Sequence, residues 1–370
     1  GVAIAISMGG PGALFWMWIS AIVGMATKFF TCSLGIMFRG YDSDNQLQGG
    51  PMYVIEQGMG KKFKFLSYWF SAAGLIGCLS LLQVNQLTQI VSNDIASDHN
   101  NILYIELIIG IIVATIVSFV IFGGLKRIAN VASKLVPFMV FIYLLCGIFI
   151  IILNIDSIPS VFSLIFNGAF NENSLYGGIV GVMVIGFQRA AFSNEAGMGT
   201  EVMAIGASKT NEPIRSGFVA MLGPFIDTIL VCSITGIVIL LSNEWSMPTI
   251  VRSFSFEYGS ILPSLGGTIE GAVLTQTAFS KYLGMAGHYI LLLSVITFAL
   301  STMFGYSYYG CKCASYLFGT ESKIYYRIFY ILTLVVGAVL PLELAVAIVD
   351  SMFALMAIPT MISALYLSPH

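Results

Sequence analysis

The sequence predicts an all-α polytopic membrane protein. Three observations carry this reading: continuous apolar runs such as Ile102 to Phe122, a mean hydropathy of +0.90, and a charged fraction of only 9 %. Soluble domains carry about 25 % charge. One crossing needs roughly 20 apolar residues, so a chain of this length holds about nine to eleven crossings. The apolar/polar alternation of a membrane β-barrel is absent. A net charge of −2 offers nothing to a nucleic acid, which is excluded as a partner; the lipid bilayer is the surroundings expected. The three histidines and six cysteines do not suit a metal or haem enzyme, and the cysteines sit mostly in apolar runs as small buried hydrophobes. No Ser/His/Asp or nucleotide constellation is present, so the chain reads as no enzyme.

Turn signals divide the chain in order. Gly1 to Met8 is a short apolar stub, followed by a turn at Gly9 to Gly12. Ala13 to Phe38 is a span, and Arg39 to Lys64 is polar. Phe65 to Val91, Ile102 to Phe122 and Val131 to Leu153 are the next spans. Leu175 to Gly206 is long, Gly-rich and interrupted by charge. Gly217 to Leu241 follows, then a polar connection from Ser242 to Lys281 expected to hold short surface helices. Tyr282 to Tyr309, Tyr326 to Val339 and Glu343 to Leu367 complete the set. The chain opens on Gly1 and closes after an apolar helix, so truncation at both ends is expected.

Lysine and arginine placement orients these spans. Arg39, Lys61, Lys62, Lys64, Lys126, Arg127, Lys134, Lys209, Arg215, Lys312, Lys323 and Arg327 fall in one alternate set of connections. The other set holds only Arg252 and Lys281. Twelve against two places the first set in the cytoplasm.

Leu175 to Gly206 cannot be a plain lipid-facing helix. It carries Gln188, Arg189, Ser193, Asn194, Glu195, Gly197, Gly199, Thr200 and Glu201. Each charge at the bilayer centre costs about 2.5–3.5 kcal/mol on insertion scales, and each glycine weakens the helix by about 1 kcal/mol. A break near Ser193 to Gly199 is therefore expected, lining a cavity, as in transporters. The simpler alternative is a Gly-rich kink with a buried Arg189–Glu195 pair. The stub matches the half-helix after the break in length, and four spans follow each, so the order reads as five plus five. An inverted repeat would comprise residues 1–155 and 175–368 of one transmembrane domain.

Other intramembrane polar groups each admit two readings. Ser301 and Thr302 share a face with Phe298, Gly305 and Tyr306; their hydroxyls suit Na⁺, or bond their own i−4 carbonyls. Gln83, Asn85, Gln86 and Gln89 are interhelical glue or pocket groups. Asp227 and Asp350 are ion or proton sites, or interhelical partners. Lys28 snorkels or pairs with an acid.

The segments GGPGALFWMW (Gly9 to Trp18), GGPMYVIEQGMG (Gly49 to Gly60), RAAFSNEAGMGT (Arg189 to Thr200), FIDT (Phe225 to Thr228) and STMFGYSYYG (Ser301 to Gly310), with Gln83 and Asn85, resemble the alanine or glycine:cation symporter family along the whole chain. The resemblance implies a leucine-transporter-like fold of two inverted five-helix repeats, with the first half of helix 1 preceding Gly1. It implies import of small neutral amino acids coupled to Na⁺, or in some members H⁺. It makes Phe298, Ser301 and Thr302 a sodium site, and Gln83, Phe192, Ser193, Asn194, Gly197 and Tyr306 pocket candidates. Glu195, Arg189 and Asp350 become coupling or gating candidates. Tyr306 stands where members carry Trp, and Phe353, Ala354 and Thr360 depart from Asn, Gly and Asn. No organic cofactor is implied. A proton-coupled symporter, a channel or a non-transporting sensor remain alternatives, and the oligomeric state is open.

Overall fold

Apolar chain in a bilayer must close its backbone hydrogen bonds within itself, which makes each run a helix. A computed structural model describes residues 1–95, 102–171, 178–246 and 271–368. Helix α1 (Val2–Gly9) leads into α2 (Ala13–Met37). A small antiparallel hairpin, β1 (Gly40–Tyr41) and β2 (Leu47–Gln48), precedes α3 (Pro51–Val54), which widens into a π-helical turn at Ile55–Met59. Next come α4 (Lys64–Gly77), α5 (Leu81–Ile95), α6 (Ile102–Ile121), α7 (Gly124–Leu153) and α8 (Ile158–Ala169). The interrupted helix follows as α9 (Gly178–Asn194) and α10 (Thr200–Ile205). Then come α11 (Pro213–Pro224), a π-helical segment Phe225–Cys232, and α12 (Ser233–Ser242). The last three are α13 (Ala272–Phe318), α14 (Ser322–Ala338) and α15 (Leu342–Leu367).

Among the described residues, seven helical segments are long and apolar enough to cross a membrane. The nine expected spans also counted α9 and α14, each 17 residues. Several expected elements differ in detail. Phe65 to Val91 is not one rod: α4 ends at Gly77, and Ser80 adopts a left-handed φ of 48° before α5 begins. The span expected at Tyr282 to Tyr309 lies inside α13, which bends where Gly284 leaves helical geometry. Helix α8 was not anticipated, and α7 starts seven residues before Val131. Residues 247–270 of the polar connection, with Arg252, lie outside the described residues, as do His99 and His370. All six cysteines are free and buried.

Helix α2 is the strut that carries the interrupted helix. Gly24, Lys28, Thr31 and Gly35 recur on one face at helical spacing, and all but Gly24 and Gly35 bring a polar group to it. Ala196 sits over Gly24 and Val202 over Gly35; an added Cβ would lie 3.0 Å from the Ala196 methyl and 2.4 Å from Val202 Cγ1. Small residues let membrane helices approach this closely. Between them the Lys28 ammonium meets the Glu201 carboxylate, so Lys28 pairs with an acid. On its other side α2 packs against α11, where Gly217 lies against Phe29 and Ser33.

The connections assigned to the cytoplasm touch one another. Arg39 donates to the Ser208 and Thr210 carbonyls at 2.7 and 2.9 Å. Lys323 lies 3.6 Å from Asp42, and Thr320 donates to Asp44 at 2.8 Å. This gathers three cation-rich connections at one end of the bundle, as the alternate assignment requires. The backbones of Gly49 and Gly206 meet there, and a Cβ on Gly206 would fall 2.5 Å from Gly49 Cα. Overpacking costs about 1–3 kcal/mol. Gly206→Val is therefore expected to lower the thermal unfolding midpoint of the detergent-purified protein by several degrees; an unchanged midpoint would contradict this close approach.

Candidate functional site

The interrupted helix opens where its sequence turns polar. Helix α9 runs through Asn194, one residue beyond the expected start of the break, and α10 begins at Thr200. Glu195, Gly197 and Gly199 take φ of 57°, 82° and 88°. Glycine occupies the left-handed region at little cost, and Gly199 also has no room for a side chain: a Cβ would lie 2.4 Å from Pro51. Glu195 is not a glycine, and a non-glycine residue in this region carries strain of order 1–3 kcal/mol, a feature that clusters at functional sites.

Neighbouring elements satisfy the opened backbone and its polar side chains. The Asn194 amide oxygen accepts from the Ala196 N–H at 3.0 Å, while its Nδ2 donates to Thr228 at 3.1 Å. Ser193 donates to Asp227 at 2.5 Å. Thr200 donates to one Glu195 carboxylate oxygen and Tyr306 donates to the other, the latter at 2.6 Å. Thr360 reaches the Met198 carbonyl at 3.3 Å. Asp227 and Thr228 both lie in the π-helical segment, a local widening often found at functional sites.

A cavity of about 240 Å³ lies beside the break. Gln83, Phe192, Ser193, Asp227, Thr235 and Phe298 contribute to its wall. The Gln83 Oε1 is buried and has no hydrogen-bond partner among the described residues. Tyr143 and Thr235 hydroxyls meet at 2.5 Å at the same wall. Asn194 and Tyr306 belong to the break's hydrogen-bond network instead, and Gly197 is buried in the turn near Met361. Asn85 acts as glue, donating to the Leu340 carbonyl at 2.6 Å, whereas Gln86 both accepts from the Ala272 N–H at 2.8 Å and lines the cavity. Two of the departures in α15 pack near the break: Thr360 at the Met198 carbonyl, and Phe353 with its ring tilted 5.8 Å from Phe192 and edge-on 6.3 Å from Tyr306, whereas Ala354 is exposed.

On α13, the Ser301 and Thr302 hydroxyls converge on one oxygen. They donate to the Phe298 carbonyl at 2.8 and 2.9 Å. Three neutral oxygens thus lie together on one helical turn. This is the back-bonded arrangement, and it is also an all-oxygen donor set of the kind a hard cation takes.

Arg189 does not pair with Glu195. It is 1 % exposed and forms its ion pair with Asp350 of α15, while Gln188 donates to the same carboxylate at 2.8 Å. Its guanidinium also lies 5.6 Å over the Phe192 ring. The kink explanation fails on this point, because the arginine belongs to an interhelical bond between α9 and α15. Among the intramembrane acids, Asp227 is marked in the sequence only by its place in FIDT, within an otherwise apolar run. Tyr143 and Thr235 carry no such signal.

A multi-pass helical membrane protein with a polar break and a small cavity at its centre is built as a transporter. The sodium:alanine symporter family matches residues 1–370, and the chain belongs to that family. It is 37 % identical over 374 residues to a sodium/alanine symporter, AgcS, of Methanococcus maripaludis, covering 100 % of this chain and 77 % of that protein. An uncharacterised transporter of Haemophilus influenzae is 38 % identical over 98 % of this chain and 76 % of its own length. A putative sodium/proton-dependent alanine carrier, YrbD, of Bacillus subtilis is 37 % identical over 87 % of this chain and 64 % of its own length.

Removing one member of a buried ion pair costs about 3–5 kcal/mol, whereas replacing both with apolar groups is often neutral. Arg189→Met and Asp350→Leu are each expected to lower the unfolding midpoint sharply, and the double variant to recover most of the loss. Additive losses in the double variant would show that the two side chains are not each other's main partner.

Proposed function

We propose that the protein is a secondary active symporter that imports small neutral amino acids, alanine or glycine, together with Na⁺. The observation that carries this reading is the cavity beside the break, where Gln83, Ser193, Asp227 and Phe298 gather on four separate elements. Family membership supports the same activity. The Gln83 oxygen and the Asp227 carboxylate are acceptors suited to a substrate ammonium, and the carbonyl end of α9 adds a negative dipole. Phe192 supplies an apolar wall for a small side chain. Asn194, Gly197 and Tyr306 act one layer behind, holding the break in shape.

The Phe298 carbonyl with Ser301 and Thr302 is the part of the Na⁺ site borne by α13. Binding the cation needs the two hydroxyl hydrogens to rotate away from that carbonyl, a change of torsion alone. The element order supports a five-plus-five inverted repeat of the leucine-transporter type. In it, α1, α2, α4–α5, α6 and α7 correspond to the α9–α10 pair, α11–α12, α13, α14 and α15. The two repeats occupy residues 1–155 and 175–368. Arg189–Asp350 ties the interrupted helix to α15 above the break, and Lys28–Glu201 ties it to α2 below. In alternating access the two ties serve as gates, with Glu195 coupling the break to α13 through Tyr306. Ion and substrate drive each other only to the extent that each favours the state the other binds.

A second reading, proton coupling, is favoured by one observation. Glu195 and Asp227 lie at the break, and neither has a lysine or arginine within ion-pair distance among the described residues. Either carboxylate is placed to carry a proton.

Equilibrium binding of labelled alanine, titrated with Na⁺ at constant ionic strength, separates these readings. Ser301→Ala and Thr302→Ala should each raise the half-saturating Na⁺ concentration about tenfold, equivalent to about 1.4 kcal/mol. Unchanged Na⁺ dependence in both variants would remove the assignment. Alanine binding independent of Na⁺ and lost in Glu195→Gln or Asp227→Asn would establish the proton-coupled reading.

A further inference from the structure

The cation-rich end of the bundle holds a second cavity, of about 340 Å³, which shares no lining residue with the cavity beside the break. Lys312 of α13 and Lys323 and Arg327 of α14 all line it, and among the described residues no acidic one does. Ser315 lines it too, with a buried hydroxyl that has no partner among the described residues. Lys312 is only 7 % exposed. Its ammonium donates to the Met203 carbonyl at 3.0 Å and lies 3.4 Å from the Gly49 carbonyl and 5.0 Å over the Tyr308 ring. These are neutral partners, and no carboxylate pairs with Lys312 or Arg327 among the described residues. Asp42 stands 3.6 Å from Lys323. Burial pushes its carboxyl up, but the Gln46 N–H, the Gln48 amide and Lys323 outweigh this and hold it below the usual range. Among the described residues, Asp42 is the one carboxylate within ion-pair distance of these three basic side chains.

Burying cations without a matching anion is costly, and carbonyl dipoles offset only part of that. The arrangement of two ammonium groups, a guanidinium and a free hydroxyl from two helices suits a tetrahedral oxyanion, which guanidinium can bind with two parallel hydrogen bonds. Ile121 and Ile128 form an apolar wall on one side, which accommodates a hydrocarbon-bearing group. We propose that this cytoplasmic cavity binds a phosphate group, carried either by an anionic lipid headgroup or by a free phosphate. It would stabilise the end of the bundle where α10, α13 and α14 meet.

The test uses the delipidated protein in detergent. Its unfolding midpoint is measured with inorganic phosphate, with short-chain phosphatidylglycerol and with short-chain phosphatidylcholine, at matched ionic strength. A ligand that binds only the folded state raises the midpoint. A rise with phosphatidylglycerol alone identifies a lipid headgroup, and a rise with inorganic phosphate as well identifies any accessible phosphate. In either case Arg327→Gln should weaken the apparent affinity about tenfold, the loss of one charge-assisted hydrogen bond, and leave Na⁺-dependent alanine binding unchanged. Lys323→Gln, on the more exposed side of the cavity, provides an independent variant. No rise with either phosphate-bearing probe, an equal rise with phosphatidylcholine, or an unaltered rise in both variants would overturn the proposal.

Discussion

The structure depends on satisfying a broken helix within a membrane-spanning bundle. Between Glu195 and Gly199 the backbone abandons its helical ladder inside the membrane-spanning bundle. Such backbone survives only when protein supplies the missing partners. Here Thr360 donates to the Met198 carbonyl, while Thr228, Thr200 and Tyr306 hold the side chains of Asn194 and Glu195 that flank the opened turn. The segments that carry Thr228, Tyr306 and Thr360 are thereby held in register with the interrupted helix. Losing the break would strand these hydroxyls as well as the turn itself.

The ion pairs flank this centre. Arg189–Asp350 lies on α9 before the break, and Lys28–Glu201 lies on α10 after it. Buried pairs contribute little net stability because desolvation offsets their attraction. Their retention here is better explained by geometry: each fixes one half of the interrupted helix to a different neighbour, α15 in one case and α2 in the other. Two halves anchored separately can move separately. Coupling between distant sites needs an element with two arrangements, and a hinge at three left-handed residues is a physical candidate.

Much of this was legible in the residues. Apolar runs located the spans, and the cluster from Gln188 to Glu201 located the break within two residues of its observed start, because charge and glycine together forbid a continuous helix there. What stayed hidden depends on distance or subtle backbone geometry. Arg189 takes a partner 161 residues away, which no local spacing reveals. The bend between α4 and α5 falls in an apolar stretch at Cys78 to Ser80 with no proline to mark it. The π-helical segment at Phe225–Cys232 follows Pro224 but has no pattern of its own, although it places Asp227 at the cavity. Ser301 and Thr302 share the Phe298 carbonyl as acceptor, an arrangement compatible with back-bonding and with cation ligation alike, so neither spacing nor geometry chooses between them.

The most direct test of the account is uptake by the reconstituted protein in liposomes. Labelled alanine accumulation would be followed with an inward Na⁺ gradient and with an equal K⁺ gradient, each in the presence of a protonophore. Accumulation above equilibrium with Na⁺, and none with K⁺, is the result the account predicts. Equal uptake with either cation, or uptake that never exceeds equilibrium, would contradict it.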